Sequence, residues 1–158
     1  MNSEVEIELL IRSAFPITPN VGDNIICHEC DECFELYDNF KDKAWNSISD
    51  ETLNYHYNSL PLLSDEAKQY YYPAYLIYSL RHPKSSITEF LLYALSSNHR
   101  HQPTGGFTQI QVTAILKYLD YIKENGDEIL IEEITKANDY WRDQLSRGAN
   151  LETDSDRS

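Results

Sequence analysis

The chain has 158 residues, 41% of them hydrophobic, and a formal net charge of −13. The negative charge argues against direct binding to nucleic acid, because a phosphate backbone would repel such a chain, and it favours basic protein partners. The hydrophobic content excludes a disordered chain, and the length suits one domain with its own core.

Start and stop signals divide the first half of the chain into helices. Ser3 and Glu6 form a capping box that predicts a first helix over residues 4–14. A second helix is predicted over residues 29–42, where acids in the first turn suit the helix dipole. Helical spacing within it predicts an apolar stripe of Cys30, Cys33, Phe34, Tyr37 and Phe40.

The middle of the chain predicts the central element. Ser49 begins a short helix, and Ser64 caps a longer one that continues through the tyrosine-rich segment 70–78. This segment is apolar almost all round, which indicates a buried helix, and core packing explains most of its tyrosines better than a recognition surface does. Pro73 cannot donate a backbone hydrogen bond, so we expect the helix to be kinked or split there. We expect Trp45 to anchor the loop that follows the second predicted helix to the core.

Two further helices follow in the second half. Capping boxes that begin at Ser86 and Thr108 predict helices over residues 87–95 and 109–125. Gly126 closes the second of them at its C-terminal end.

A last helix is predicted over residues 127–145, followed by a disordered polar tail at 148–158. Its inner stripe is Leu130, Ile131, Ile134, Ala137, Trp141 and Leu145. We therefore expect an all-α fold, in which residues 1–147 form a single compact bundle of about six to seven helices around a central Pro-kinked helix.

All three cysteines fall in one short run with a histidine. Thiolate and imidazole are the ligands that zinc prefers, so His28, Cys30 and Cys33 are candidate ligands for zinc, or for iron. The run lacks the second pair of ligands that a structural site needs. The alternative is that Cys30 and Cys33, one helical turn apart, pack inward as small hydrophobic residues. Their C-x-x-C spacing at a helix start also allows a redox role, although no βαβ pattern surrounds it.

Acids fill the remaining positions of the second predicted helix. These are Glu29, Asp31, Glu32, Glu35 and Asp38. Clustered carboxylates attract a basic protein surface and speed the encounter with it. We therefore predict that these five residues bind a basic protein partner. The alternative is that the acids only keep the protein soluble.

Several motifs follow one another along the chain: His28-x-Cys30-x-x-Cys33, Phe40 and Trp45, Leu60-Pro61-Leu62-Leu63-Ser64, and Tyr71-Tyr72-Pro73-Ala74-Tyr75-Leu76. Over residues 25–122 they resemble an uncharacterised family of small bacterial proteins with an H-x-C-x-E-C, F, W, LPLLSPEA and YYLPAYL-like pattern. Asp65 stands where that pattern has proline, and Cys27 is additional to its two cysteines. The resemblance implies one helical domain in a bacterial cytoplasm, makes the histidine and the two family cysteines a unit, and implies no activity.

Three functions are open for such a chain. The first is a small acidic protein-binding module, of the kind that neutralises a basic toxin as an immunity or antitoxin-type inhibitor. The second is a metal-binding protein or enzyme that uses the cysteine and histidine cluster, and the third is a structural or regulatory subunit. The absence of a recognisable catalytic motif favours a role without catalysis.

The location of the protein follows from two expected absences. No apolar run is about 18 residues long, so we expect no membrane span. The acidic first residues do not resemble a signal peptide, so we expect a cytoplasmic protein.

Overall fold

The computed structural model describes residues 3–27, 29–96 and 107–156, with side chains up to residue 146. Over these residues the protein is all α, and the only β-type pairing is an isolated bridge between Ile26 and Leu63. The predicted all-α bundle is confirmed. Its helices are α1 (Glu4–Ala14), α2 (Asp31–Phe40), α3 (Asp50–Tyr55), α4 (Asp65–Arg81), α5 (Ser86–Ser96), α6 (Gln109–Asn125) and α7 (Ile131–Asp156).

Local capping signals set most of the helix starts. The side chains of Ser3, Ser64 and Thr108 each accept a backbone N–H from the residue three positions on, as predicted. The predicted cap of α5 is wrong by one residue. Ser85 Oγ accepts the backbone N–H three residues on at 3.4 Å, and Ser86 is the first residue inside the helix. Adjacent serines offer the same capping chemistry, so the sequence did not distinguish them.

Helix α4 is the central element of the bundle. Its residues from Tyr71 to Ile77 are all buried, and it packs against α1, α5 and α6. The helix runs through Pro73 without splitting. Packing on several sides stabilises it where proline removes a backbone hydrogen bond.

Three tyrosine hydroxyls of α4 hold segments that connect other helices. Each donates to backbone carbonyl oxygens, so the connecting chain is fixed to the central helix. The bonds run from Tyr70 to Ile17 (2.7 Å), from Tyr71 to Phe40 and Lys43 (2.9 and 3.0 Å), and from Tyr75 to His56 (2.9 Å). Trp45 is also buried, and its Nε1 donates to the carbonyl of Phe15 at 3.3 Å, which confirms the predicted anchor.

Both predicted apolar stripes include one exposed residue, and the stripe predicted for α2 also omits the buried Leu36. On α2 the buried residues are Cys33, Leu36 and Phe40, whereas Phe34 is 48% exposed. At 100° per residue, Phe34 lies well outside the arc that these three residues share. On α7 the first residue, Ile131, is 46% exposed, because a short 3₁₀ turn precedes it and the buried side of the α-helix begins later.

A buried hydroxyl network joins α4, α5 and α6. Ser79 Oγ lies 2.5 Å from Thr88 Oγ1 and 2.6 Å from Tyr118 Oη, and all three side chains are fully buried. Thr88 Oγ1 also donates to the carbonyl of His82 at 3.1 Å. Burial raises the pKa of Tyr118, so its phenol stays neutral and available as a donor. The network therefore fixes the relative position of three helices at one point.

Helix α7 continues to Asp156, past the end predicted at residue 145. The division into one domain over residues 1–147 and a disordered tail at 148–158 stays a prediction. Among the described residues, no helix combines the length and the apolar character that crossing a membrane requires.

Candidate functional site on helix α2

The start of α2 and its packing decide which side chains face outward. Cys30 is the N-cap residue, and its Sγ accepts the backbone N–H of Cys33 at 3.2 Å. Leu36 and Phe40 continue the buried side of the helix and fix it to the core. The opposite side is therefore left to solvent along its whole length.

All five predicted partner-binding acids are exposed on or just before this helix. They are Glu29, Asp31, Glu32, Glu35 and Asp38, and we call them the acidic face. At 100° per residue, Asp31, Glu35 and Asp38 lie directly opposite the buried residues of α2. The structure thus brings Asp31, Glu35 and Asp38 together on the outward side of α2. The role of all five acids in binding a partner stays a prediction.

The acidic face lacks a neutralising cation within the part of the chain that the structure describes. The ion pairs found there are Glu8–Arg12, Glu8–Arg81 and Glu132–Lys136, and none includes a residue of α2. Lys41, just after the helix, places its Nζ 5.5 Å from the ring centroid of Tyr37. The carboxylates of the acidic face therefore keep their charge available to a partner.

Two exposed aromatic side chains adjoin these acids. Phe34 lies three residues after Asp31 and four before Asp38, so it stands between them on the outward side. Tyr55 of α3 is 60% exposed, and its Oη donates a hydrogen bond to the Glu35 carboxylate. That hydrogen bond is the largest cause of the raised pKa of Tyr55, and the negative charge of the same carboxylate is the second.

Sequence reasoning missed both aromatic residues. Phe34 was assigned to the inner stripe of α2, although a stripe through Leu36 would have matched the three-to-four spacing better. Tyr55 joins the site through a contact between two helices, for which the sequence carries no local signal.

A buried histidine fixes α2 against the segment after α3. His56 Nε2 lies 2.7 Å from the side-chain nitrogen of Asn39 on α2, and Nδ1 lies 3.3 Å from Ser59 Oγ. Burial lowers the pKa of His56, and the charges of Glu35 and Glu32 oppose this shift. The neutral ring thus sits behind the acidic face and holds it in place.

The three cysteines differ in burial. Cys27 is exposed, with Sγ 3.5 Å from the carbonyl oxygen of Pro61, Cys30 is half-buried, and Cys33 is buried. Burial, a hydrogen bond to the Cys30 side chain and the nearby thiols raise the pKa of Cys33 to about 11. The alternative that both Cys30 and Cys33 pack inward therefore holds for Cys33, whereas Cys30 is half-buried at the N-cap.

The predicted metal ligands meet in the structure only in part. Cys30 and Cys33 are in contact, whereas His28 lies outside the described residues. Among the residues that are described, no three or more His, Cys, Asp or Glu side chains are grouped so that they could hold a metal ion. The assignment of zinc or iron to His28, Cys30 and Cys33 stays a prediction.

Comparison with known proteins places the chain in a family. The sequence model of a family of unknown function (DUF6714) matches residues 28–145. The chain belongs to this family. No curated protein and no solved structure matches the chain significantly.

The DUF6714 match contains the acidic face, both exposed aromatic residues, Cys30 and Cys33. It leaves α1 outside, although α1 packs against α4 and α6. The expectation of an uncharacterised family is confirmed. The bacterial origin and the particular residue pattern stay predictions.

Proposed function

We propose that this protein is a bacterial, cytoplasmic protein-binding module that inhibits a basic partner, in the manner of an immunity protein or antitoxin. The acidic face carries the proposal. Its five exposed carboxylates have no neutralising cation among the residues that the structure describes, and four of them lie on a helix that is anchored to the core at its back. The partner is expected to present Lys and Arg side chains around an apolar patch.

Charge explains how the partner would be found. Clustered carboxylates raise the local concentration of a basic protein and accelerate its encounter, and they disfavour acidic competitors. Such steering weakens as salt screens the charges, because the Debye length falls from about 14 Å to about 6 Å between roughly 0.05 M and 0.3 M salt. Association should therefore slow markedly over that range.

The aromatic residues explain how the partner would be retained. Exposed Phe34 and Tyr55 supply apolar area next to the charges, and aromatic side chains dominate the binding energy of many interfaces. The hydrogen bond from Tyr55 to Glu35 orders both side chains before binding, which reduces the entropy that binding must remove.

A pair of charge-reversal variants tests the proposal. Glu35→Lys with Asp38→Lys changes the acidic face beyond the first turn of α2, where the capping contacts stay intact. Asp120→Lys with Glu124→Lys is the matched control, because both acids are exposed, stand one turn apart on α6 and change the net charge equally. Circular dichroism verifies that both variants fold.

Each protein is used to capture partners from lysates, and each is co-expressed with the basic products of neighbouring genes that arrest growth. We expect the unchanged protein and the α6 variant to retain one basic protein and restore growth, and the α2 variant to do neither. Equal capture and equal protection by both variants would refute a role for the acidic face. Absence of both capture and protection by the unchanged protein would refute the inhibitor itself.

A further inference from the structure

Cys30 and Cys33 form a contact pair at the start of α2. Cys30 is the N-cap in an extended conformation (φ −152°, ψ 166°), which turns its side chain back over the first turn. Its Sγ accepts the backbone N–H of Cys33 at 3.2 Å. The sulfur of Cys30 therefore lies beside the residue that carries the second thiol.

The N-cap contact brings the two residues close together. Side chains three residues apart on a regular helix have Cβ atoms about 5–6 Å apart, and a disulfide needs about 3.5–4.5 Å. Cys30 precedes the helix, and its Sγ lies 3.2 Å from the backbone nitrogen of Cys33, two bonds from the Cβ that carries the second sulfur. Bridging thus requires the first turn to tighten by about 1–2 Å.

Access to solvent gives the two sulfurs different roles. Cys30 is half-buried and can be reached from outside, whereas Cys33 is fully buried. Cys27 is exposed, but its Sγ contacts the carbonyl of Pro61. Within the pair, Cys30 is therefore the thiol that a reagent in solution can reach, and Cys33 lies behind it.

We propose that Cys30 and Cys33 form a thiol–disulfide site whose substrate is a small-molecule disulfide such as glutathione disulfide. The thiolate of Cys30 attacks one sulfur of the substrate, the substrate disulfide breaks, and one small thiol leaves with a proton. Cys33 then loses its proton, attacks Cys30 Sγ and releases the second small thiol. In sum, two protein thiols are oxidised to one disulfide while one small disulfide is reduced to two thiols.

This inference does not depend on the proposed partner, so each can fail alone. Reduced protein is first treated with EDTA, so that no bound metal shields the thiols, and is then incubated with glutathione disulfide. In one aliquot, quenched with acid and then unfolded, titratable thiols should have fallen from three to one per molecule. A second aliquot is alkylated with iodoacetamide for peptide mapping.

Glutamyl endopeptidase then identifies the bridge. Cleavage after Glu29 separates Cys27 from Cys30, and cleavage after Glu32 separates Cys30 from Cys33. We expect the peptide that contains Cys30 and the peptide that contains Cys33 to remain joined by a disulfide, and Cys27 to be alkylated. The same reaction in urea is the control, where loss of the fold should yield a mixture of the three possible bridges.

Serine variants separate the two steps. Cys33→Ser should stop at a glutathione adduct on Cys30, Cys30→Ser should leave the buried thiol unmodified, and Cys27→Ser should oxidise like the unchanged protein. A bridge between Cys27 and Cys30 in the folded protein would overturn the assignment. So would a persistent adduct on Cys30 of the unchanged protein, or a bridge between Cys30 and Cys33 that forms only in urea.

Discussion

Replacing Ser79 by alanine tests how strongly the buried hydroxyl network stabilises the bundle. Ser79 Oγ has two partners, the hydroxyls of Thr88 and Tyr118. Each hydrogen bond contributes roughly 1 kcal/mol net, so losing both should lower the free energy of unfolding by about 2 kcal/mol. Tyr118→Phe removes one hydroxyl of the same network and should cost about 1–2 kcal/mol.

The double variant isolates the shared bond. The contact between Ser79 and Tyr118 is lost in both single variants, so the double variant should cost about 1 kcal/mol less than the sum of the two. Urea denaturation, followed by tryptophan fluorescence and circular dichroism, measures all three free energies. Ser13→Ala is the control, because its exposed hydroxyl bonds only to a carbonyl of its own helix; it should change stability by less than about 0.5 kcal/mol.

Two outcomes would refute this reasoning. Additive losses would mean that Ser79 and Tyr118 do not interact in the folded protein. A loss for Ser79→Ala no larger than that for Ser13→Ala would mean that the buried hydroxyls gain nothing from one another.

Three further variants test separate features. Burial lowers the pKa of His56 below its ordinary value of 6.5, so the unfolded chain binds a proton at this residue before the folded protein does as the pH falls. The free energy of unfolding should therefore decrease between about pH 7.5 and 5. His56→Gln should show a smaller decrease over that interval, and an equal decrease would contradict the lowered pKa. Gly126→Ala would place a Cβ 2.8 Å from the carbonyl oxygen of Ile122, so we expect a loss of about 1–3 kcal/mol in urea denaturation, and an unchanged midpoint would be inconsistent with that contact. Ser64→Ala removes a helix cap whose hydroxyl also donates to the backbone carbonyl of Asn24 at 2.7 Å. Thermal unfolding should show that the free energy of unfolding falls by about 1–2 kcal/mol, more than for Ser3→Ala, which removes an exposed cap. A larger loss for Ser3→Ala would contradict the role of burial.

Helix starts were predictable because capping is a local interaction. A hydroxyl and a backbone N–H three residues apart are both visible in the sequence, which is why Ser3, Ser64 and Thr108 were assigned correctly. The same rule failed at Ser85 and Ser86: Ser86 with Glu89 matches the capping-box pattern, but the side chain that caps the helix is that of Ser85.

The candidate site was predictable only where spacing along one helix decides it. The acids of α2 followed from that spacing, but the choice between Phe34 and Leu36 as the buried residue did not, since both are large and apolar. The contact of Tyr55 with Glu35 joins residues 20 positions apart, so it depends on how α2 and α3 meet in three dimensions. No sequence pattern within either helix predicts this contact between α2 and α3.

The tyrosine hydroxyls of α4 have a consequence for how the sequence of such a protein can vary. Tyr70, Tyr71 and Tyr75 hold the connecting segments by their backbone carbonyls, and every amino acid supplies a carbonyl. These hydrogen bonds therefore do not depend on the side chains at the accepting positions, so an exposed residue such as Lys43 can be exchanged while its contact with Tyr71 is kept. Substitution of one tyrosine in the central helix, by contrast, would release a loop that is distant in sequence and whose own residues are unchanged.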